Sequence, residues 1–375
     1  MPIPFDMFLE IFSWLPGKVI HKIKCTNKLL SQSLCGTYFV SKQADNALLK
    51  NDPCFFIQPS IVQRLNCHVE LHSLYGEDTW VGVPKDVLQF LHDYGAKIIS
   101  SSNGLILCRA TKMNEVTLFV SNPATRSLLH IPTPEQVRKN VNADLKIVFE
   151  CDSNGFMVFI FHMPDWSEFL DCEVLSSNEG VWKSKEQRLF TGPRDLRFDM
   201  PVCFNGVIHL ISTCSPYEGK SMPYIVSYDY ENGMSRMVSV PKKARRVFYH
   251  DSCDMGIFKW GNVSDSNESI CLVRLLKSTF TIWVLEDYEL SSWRKIMKAK
   301  VKTMVGSREQ NPIVTGYMVM NDECLVFTTE NKVYGYNWTQ MKIMEIGEHE
   351  CDSSKISIIP YSNTLRPCGT LSLPS

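Results

Sequence analysis

The chain has 375 residues, 44% of them hydrophobic and 21% charged, and its 39 Lys and Arg against 40 Asp and Glu leave a net charge of −1. That length buries a sizeable core without staples, the composition excludes disordered, collagenous and low-complexity architectures, and the charge balance gives no global positive field to hold nucleic acid or an anionic membrane. The longest nearly unbroken apolar run, Phe156 to Met163, is far shorter than the ~18 residues a membrane-spanning helix requires and reads as a buried strand.

In chain order, the first predicted element is a helix. Within Ile3 to Leu15, Phe8, Ile11, Phe12 and Leu15 recur at i, i+3, i+4 and i+7, and Pro4 sits where a first helical turn tolerates it. The stretch also carries Asp6 and Glu10 and has no basic region ahead of its apolar part, which argues against a secretory signal and for an intracellular protein, in the nucleus or the cytoplasm. Pro16 and Gly17 stop this helix, Val19, Ile20 and Ile23 mark a second, and Thr26 or Asn27 can cap a third carrying Leu29, Leu30 and Leu34. Three helices of this size bury too little apolar surface to stand alone. Periodicity leaves two readings open: a partner protein covers the surplus apolar faces, or they dock on the rest of the chain.

Ile3 to Leu34, IPFDMFLEIFSWLPGKVIHKIKCTNKLLSQSL, resembles a plant F-box, whose pattern is LP-x-DLL-x-EIL-x-RLP-x-KSL-x-RF-x-CVSK-x-W. Pro4, Asp6, Glu10, Ile11, Leu15, Pro16, Lys18, Cys25 and Lys28 stand in register with it, while Trp14 replaces the usual basic residue and Leu30 the usual Trp. The resemblance implies that Pro4, Phe8, Ile11, Leu15, Pro16, Val19 and Ile20 contribute to a surface for a Skp-type adaptor and, through it, a cullin. It divides the chain into a head over residues 1–45 and a body over 46–375.

After residues 51–53 the pattern becomes strand-like, with short β-branched and aromatic runs divided by turn residues. One turn-strand unit recurs: Asn103-Gly104, Asn154-Gly155, Asn205-Gly206, Asn267-Glu268 and Asn321-Asp322 each precede an apolar run, at spacings of 51, 51, 62 and 54 residues. Between them lies a strand, polar turn, strand unit, beginning at Leu118, Cys172, Ile225, Thr281 and Lys332. A period near 50 residues without amphipathic helices predicts a kelch-like β-propeller, with an irregular β-sandwich as the rival. Five repeats are visible, Cys54 to Tyr75 can supply strands of one more blade, and KISIIP from Lys355 can close the ring. Ser101 to Cys108, Asn122 to Arg126 and Ile282 to Trp293 also resemble the SxNGLLC, NPATR and W-x-V-L-D/E-Y-x3-W patterns of the F-box-associated domain of plant F-box proteins.

Cysteines number fourteen, scattered singly from Cys25 to Cys368 with no C-x-x-C pair, which predicts reduced, mostly buried thiols in place of a zinc ribbon or a redox pair. CSPYEGKS, from Cys214, lacks the first glycine of a phosphate-binding loop and is followed by a strand pattern. His68 and His72 flank Glu70 at strand spacing, about 13 Å apart and too far for one metal. Ser292 to Lys295 spells S-x-x-K without the companion motifs of its enzymes, and no G-x-S-x-G elbow occurs. The basic run Lys242-Lys243-Ala244-Arg245-Arg246 can bind phosphates or an importin, or be a solvated loop.

Together these features predict a short all-α F-box head followed by an all-β, kelch-like propeller of about six blades, without metal or cofactor. The resemblance implies a non-catalytic substrate-recognition subunit of a Skp-cullin-F-box ubiquitin ligase that promotes ubiquitination of a protein target, with no nucleic-acid or membrane partner. The alternative is a propeller enzyme or sugar-binding lectin with a helical leader, which a dense pocket of carboxylates, histidines and metal ligands on the propeller axis would support. Target binding is expected at loops, with Tyr75 to Asp86, Asp165 to Phe169, Pro216 to Met222 and Lys242 to Val247 as candidates.

Overall fold

A computed structural model describes residues 4–48, 54–60, 68–74, 88–139, 145–152, 155–164, 167–213, 222–245, 253–261 and 268–369. Its N-terminal part contains α1 (Phe5–Ser13), α2 (Gly17–Lys24), α3 (Lys28–Leu34) and α4 (Thr37–Leu48). Asn27 caps α3, its Oδ1 accepting from the Leu29 N–H at 2.8 Å. The fourth helix lies outside the three predicted from periodicity; Phe39 and Ala44 bury part of it, Asn46 Nδ2 donates to Ser13 Oγ at 2.7 Å in the interior, and Lys42 pairs with Glu10 at the surface.

The rest forms six sheets arranged as blades. Blade 1 joins β1 (Cys54–Pro59) and β2 (Glu70–Ser73) to the last strand, β24 (Ile356–Tyr361). Blade 2 holds β3 (Ala96–Ser102), β4 (Leu105–Lys112), β5 (Glu115–Asn122) and β6 (Ser127–Ile131). Blade 3 holds β7 (Ile147–Cys151), β8 (Phe156–His162), β9 (Phe169–Ser176) and β10 (Trp182–Ser184), with β11 (Leu189–Phe190) also paired to β9. Blade 4 holds β12 (Val202–Phe204), β13 (Val207–Ile211), β14 (Tyr224–Asp229) and β15 (Ser235–Ser239). Blade 5 holds β16 (Cys253–Trp260), β17 (Ser269–Leu276), β18 (Thr279–Asp287) and β19 (Ser292–Lys300). Blade 6 holds β20 (Gly316–Met320), β21 (Cys324–Thr328), β22 (Lys332–Asn337) and β23 (Lys342–Glu348). The ring is closed by β24, which pairs antiparallel with β1 from Cys54↔Tyr361 to Pro59↔Ile356.

Both faces of each sheet pack against a neighbouring blade, which explains why the second strands read as unbroken apolar runs. In β4, Leu105 and Leu107 enter the core between blades 2 and 3, while Ile106 and Cys108 enter the core between blades 1 and 2. In β1, Phe55 and Ile57 point one way and Cys54 and Phe56 the other. Successive strand side chains face opposite sides, so a run with no polar residue is what a doubly covered strand needs.

The repeated turns have a physical cause as well. Asn103 and Gly104, at φ 44° and 79°, and Asn321 and Asp322, at φ 55° and 56°, are left-handed pairs, the backbone that a tight two-residue hairpin requires. Gly104 allows no side chain, since a Cβ there would lie 2.0 Å from Thr364 Oγ1. The third-to-fourth-strand turns share another device. Asn122, Ser176, Asp229, Asp287 and Asn337 each accept a backbone N–H through the side chain, from Ala124, Asn178, Glu231, Leu290 and Gln340. Four residues on, Arg126, Gly180, Gly233, Ser291 and Met341 are left-handed. This side-chain-capped turn is the content of the NPATR motif.

Twelve cysteines are described, all free thiols and eight of them buried. Burial raises the Cys172 thiol to about 12, out of the range of nucleophilic chemistry.

Candidate functional site

The head has one covered side and one open side. Ile20, Leu34 and Phe39 form its core against Leu365 of the C-terminal segment, with Phe12, Leu15 and Leu30 packed around them. Leu30, where the F-box pattern has Trp, is therefore partly buried against the head core. On the open side, Met7, Ile11 and Trp14 stand at i, i+4 and i+7 along α1 with Phe8 beside them, all exposed, Ile11 at 51%. Leu29 and Tyr38 are exposed too.

Of the seven residues expected at an adaptor surface, Pro4, Phe8 and Ile11 come together on this open side, and Leu15, Pro16 and Val19 are half-buried. Ile20 is wholly buried in the head core, where it holds the helices together without presenting a surface. The same side also exposes Met7 and Trp14, which the expected set does not include; the spacing i, i+4, i+7 from Met7 carries that signal, but Phe8, Ile11, Phe12 and Leu15 offer a competing stripe.

The head is tied to the ring by residues 362–369. Leu365 N donates to Gln43 Oε1 at 2.8 Å, and Gln43 Nε2 donates to Leu15 O at 3.3 Å. On the ring side, Thr364 Oγ1 donates to Asn103 O at 3.0 Å, and Asn122 Nδ2 donates to the carbonyls of Thr364 and Arg366 at 3.0 and 2.6 Å. The buried Arg366 guanidinium donates to Asp152 O and Gly155 O, the latter at 3.0 Å. With the Asn103 amide nitrogen donating to Ala44 O at 3.2 Å, its oxygen accepts from Arg366 Nη1. Since blades are antiparallel meanders, first and third strands of every blade run toward this same mouth. The turns between second and third strands and the connections between blades open on the opposite, far mouth.

A channel of about 330 Å³ runs along the axis, lined by the inner strands of all six blades and touched by Ala47 of α4. Apolar side chains such as Phe149, Ile257, Phe258 and Met320 make much of its wall, among Glu150, Asp199, Lys259 and Asp322. Lys259 pairs with Glu268 at 2.5 Å and Asp199 with Arg197 at 2.7 Å. Asp322 Oδ2 accepts from the Gly261 N–H at 2.9 Å. Burial raises the Glu150 carboxyl to about 7 against the pull of Lys259 and a hydrogen bond with Cys203. The polar groups are thus mostly paired with one another, and among the described residues no group of three or more His, Cys, Asp and Glu is arranged to hold a metal ion.

The other sequence motifs resolve as structure. Glu70 sits between the two histidines on β2, 3.0 Å from His72 Nε2 and 3.4 Å from His68 Nε2. Although burial raises it, the hydrogen bonds from His72 and the Glu350 backbone N–H leave its carboxyl below the usual range. Ser292 and Lys295 belong to the exposed outer strand β19. CSPYEGKS and Tyr75 to Asp86 lie outside the described residues, as do parts of the other three candidate loops. No described helix is long and apolar enough to cross a membrane.

Fold and surface define a class: a six-bladed β-propeller carrying a small helical head with an open apolar side. Residues 58–327 match the F-box protein At3g26010-like β-propeller family, and the chain belongs to it. F-box protein At5g65850 of Arabidopsis thaliana is 24% identical over 294 residues, 78% of this chain and 70% of that protein. F-box/kelch-repeat protein At4g19930, from the same plant, is 23% identical over 342 residues, 83% of this chain and 71% of that one. Among solved structures, TolB from Acinetobacter baumannii is similar with a TM-score of 0.48 at 10% identity, covering 84% of this chain and 67% of TolB.

Proposed function

We propose that this chain is the substrate-recognition subunit of a Skp-cullin-F-box ubiquitin ligase: its head grips a Skp-type adaptor and its propeller presents a protein target. The observation that carries the reading is the open apolar side of α1, Met7, Phe8, Ile11 and Trp14, on a chain whose body belongs to an F-box-protein family. Such a stripe in water favours a partner that covers it, at roughly 25 cal/mol per Å² of apolar surface. Catalysis in this role comes from proximity, since holding target and ubiquitin donor together raises their effective concentration and asks no nucleophile of the chain itself.

The test is co-purification of the full chain with a Skp-type adaptor. Phe8→Asp with Ile11→Asp places two charges on the exposed stripe and leaves the head core intact, so adaptor capture is lost while the melting temperature stays within about 2 °C of wild type. Capture of the adaptor at wild-type levels by that double variant would refute the reading.

A further inference from the structure

The basic run is built into the far mouth. After β15, Ala244 N and Arg245 N both donate to Pro241 O, at 2.8 and 3.2 Å, Arg245 Nε donates to Val240 O at 2.8 Å, and Ala244 is completely buried. Residues 242–245 of the run are a fixed turn; reading them as an extended peptide, as an importin would, requires pulling Ala244 out of the core between blades 4 and 5. What the turn offers outward is Lys242 and Lys243, both exposed.

Blade 5 adds charge from the facing side. Arg274 Nη1 donates to Lys243 O at 2.7 Å, docking strand β17 on the turn. Arg274 pairs across the sheet with Thr281, and Thr281 with Lys298, so Arg274 and Lys298 share a sheet face. Leu272 and Trp283, one pair along, put that face toward blade 4, since both pack in the blade 4–5 core. Lys300 follows two residues on from Lys298, opposite Thr279, and Lys277 occupies the β17–β18 turn beside it, where Val301 N donates to Ser278 O at 2.9 Å. Among the described residues Lys242, Lys243, Lys298 and Lys300 enter no ion pair, and the neighbouring Asp254 is already held by Arg197 at 2.7 Å. Strands lie about 4.8 Å apart, so these cations fall within or near one Debye length of each other and their fields add.

We propose that this basic patch, at the far mouth between blades 4 and 5, is a docking site for a short acidic segment of a protein. The exposed lysine ammoniums are point charges that pair with the carboxylates of an acidic segment, and a net charge of −1 offers no wider positive field to hold a nucleic acid. Length sets the class of ligand. At the other end of β18, about 27 Å from the lysines at strand rise, Glu286 pairs with Arg294 and Glu289 with Arg236, each at 2.5 Å, so the surplus positive charge is confined to the far-mouth end and a longer polyanion gains nothing along the blade. About six to eight extended residues fill the basic part alone. The site lies on the mouth opposite the head, so a segment bound here leaves α1 free.

This deepens the adaptor reading by naming a target class, but its test needs no ubiquitin-ligase partner. The full chain is titrated against a fluorescein-labelled octaglutamate peptide, and anisotropy is read at about 50 and 300 mM salt. Wild type is expected to bind, more weakly at the higher salt, and a Gly-Ser octapeptide is not. Lys243→Glu with Lys298→Glu and Lys300→Glu should raise Kd at least about tenfold, while Phe8→Asp with Ile11→Asp leaves it unchanged. Should the triple variant melt early, the single changes Lys243→Gln and Lys300→Gln, both at exposed positions, each raise Kd about threefold. Absence of wild-type binding at about 50 mM salt, equal binding by the variants, or tighter binding of an eight-nucleotide single strand than of the peptide would each overturn the proposal.

Discussion

Replacing Arg366 by Ala tests whether the C-terminal segment is what fixes the head on the ring. Its guanidinium is buried and serves three acceptors: the carbonyls of Asp152 and Gly155 on blade 3 and the side chain of Asn103, which in turn donates to Ala44 of α4. Hydrogen bonds to a charged donor are worth about 1.5–3 kcal/mol each, but they share one group and do not add; the buried acceptors left without a donor cost about 1–3 kcal/mol each, which sets the loss at about 4 kcal/mol. At about 2.1 cal/mol/K per residue, unfolding of 375 residues has an entropy near 0.8 kcal/mol/K, so a 4 kcal/mol loss lowers Tm by about 5 °C. Calorimetry reads that shift. Hydrogen exchange locates it: amides of α4 and residues 362–369 should exchange faster, while those of β17 and β18, on the opposite side of the ring, stay protected. A Tm drop under about 1 °C, or unchanged exchange in α4, would show that the head is held by its apolar contacts and that the clasp is incidental.

Two further outcomes concern the head and the axis. Ile20→Ala should destabilise the chain by about 2–4 kcal/mol in urea unfolding, whereas Ile11→Ala, at an exposed site, should cost under about 0.5 kcal/mol; equal effects would mean the head core is misplaced. Glu150 and His209 should give opposite pH dependences. The folded Glu150 carboxyl titrates near 7 in place of 4.5 because of burial, so its stabilising share is complete below pH 4.5 and is lost as pH rises to 7. The folded His209 imidazole titrates near 4 in place of 6.5, again from burial, which outweighs its hydrogen bond to Val202 O, so its share is present above pH 6.5 and is lost as pH falls toward 4. Between pH 4.5 and 6.5 the two offset each other. Glu150→Gln should make stability rise across that window by about 1–3 kcal/mol relative to wild type, and His209→Gln should make it fall by a similar amount. Urea midpoints at pH 4.5, 5.5 and 6.5 that run parallel for all three proteins would refute both assignments.

Local chemistry alone made much of this molecule readable. The left-handed Asn103-Gly104 and Asn321-Asp322 pairs, the Asx residue followed four positions later by a left-handed one, and the apolar runs of β4 and β8 are demands made within a few residues. A period of such demands announces a propeller before any contact is known. The closure was legible for the same reason: the first strands make only part of a blade with β2, β24 is an apolar strand left over at the far end, and β1 and β24 meet across the chain, Ser60 Oγ lying 3.0 Å from Ser357 Oγ although the two are 297 residues apart.

Tertiary structure decided whatever depended on which apolar face was already taken. Periodicity could not choose between docking of the head and an outside partner, and the fold decides only part of it: Leu365 covers Ile20, Leu34 and Phe39, while Met7, Phe8, Ile11 and Trp14 stay open. Buried polar partners were equally invisible, because Gln43, Asn46 and Arg366 look like surface residues until the groups that accept and donate to them arrive from other parts of the chain. The basic run is the plainest instance. Its charge is written in five consecutive residues, but its rigidity comes from Ala244 entering the core and Arg274 reaching Lys243 from the next blade. A hydrogen bond between strands distant in sequence leaves no trace in local pattern, since either residue alone satisfies its own neighbourhood equally well in water.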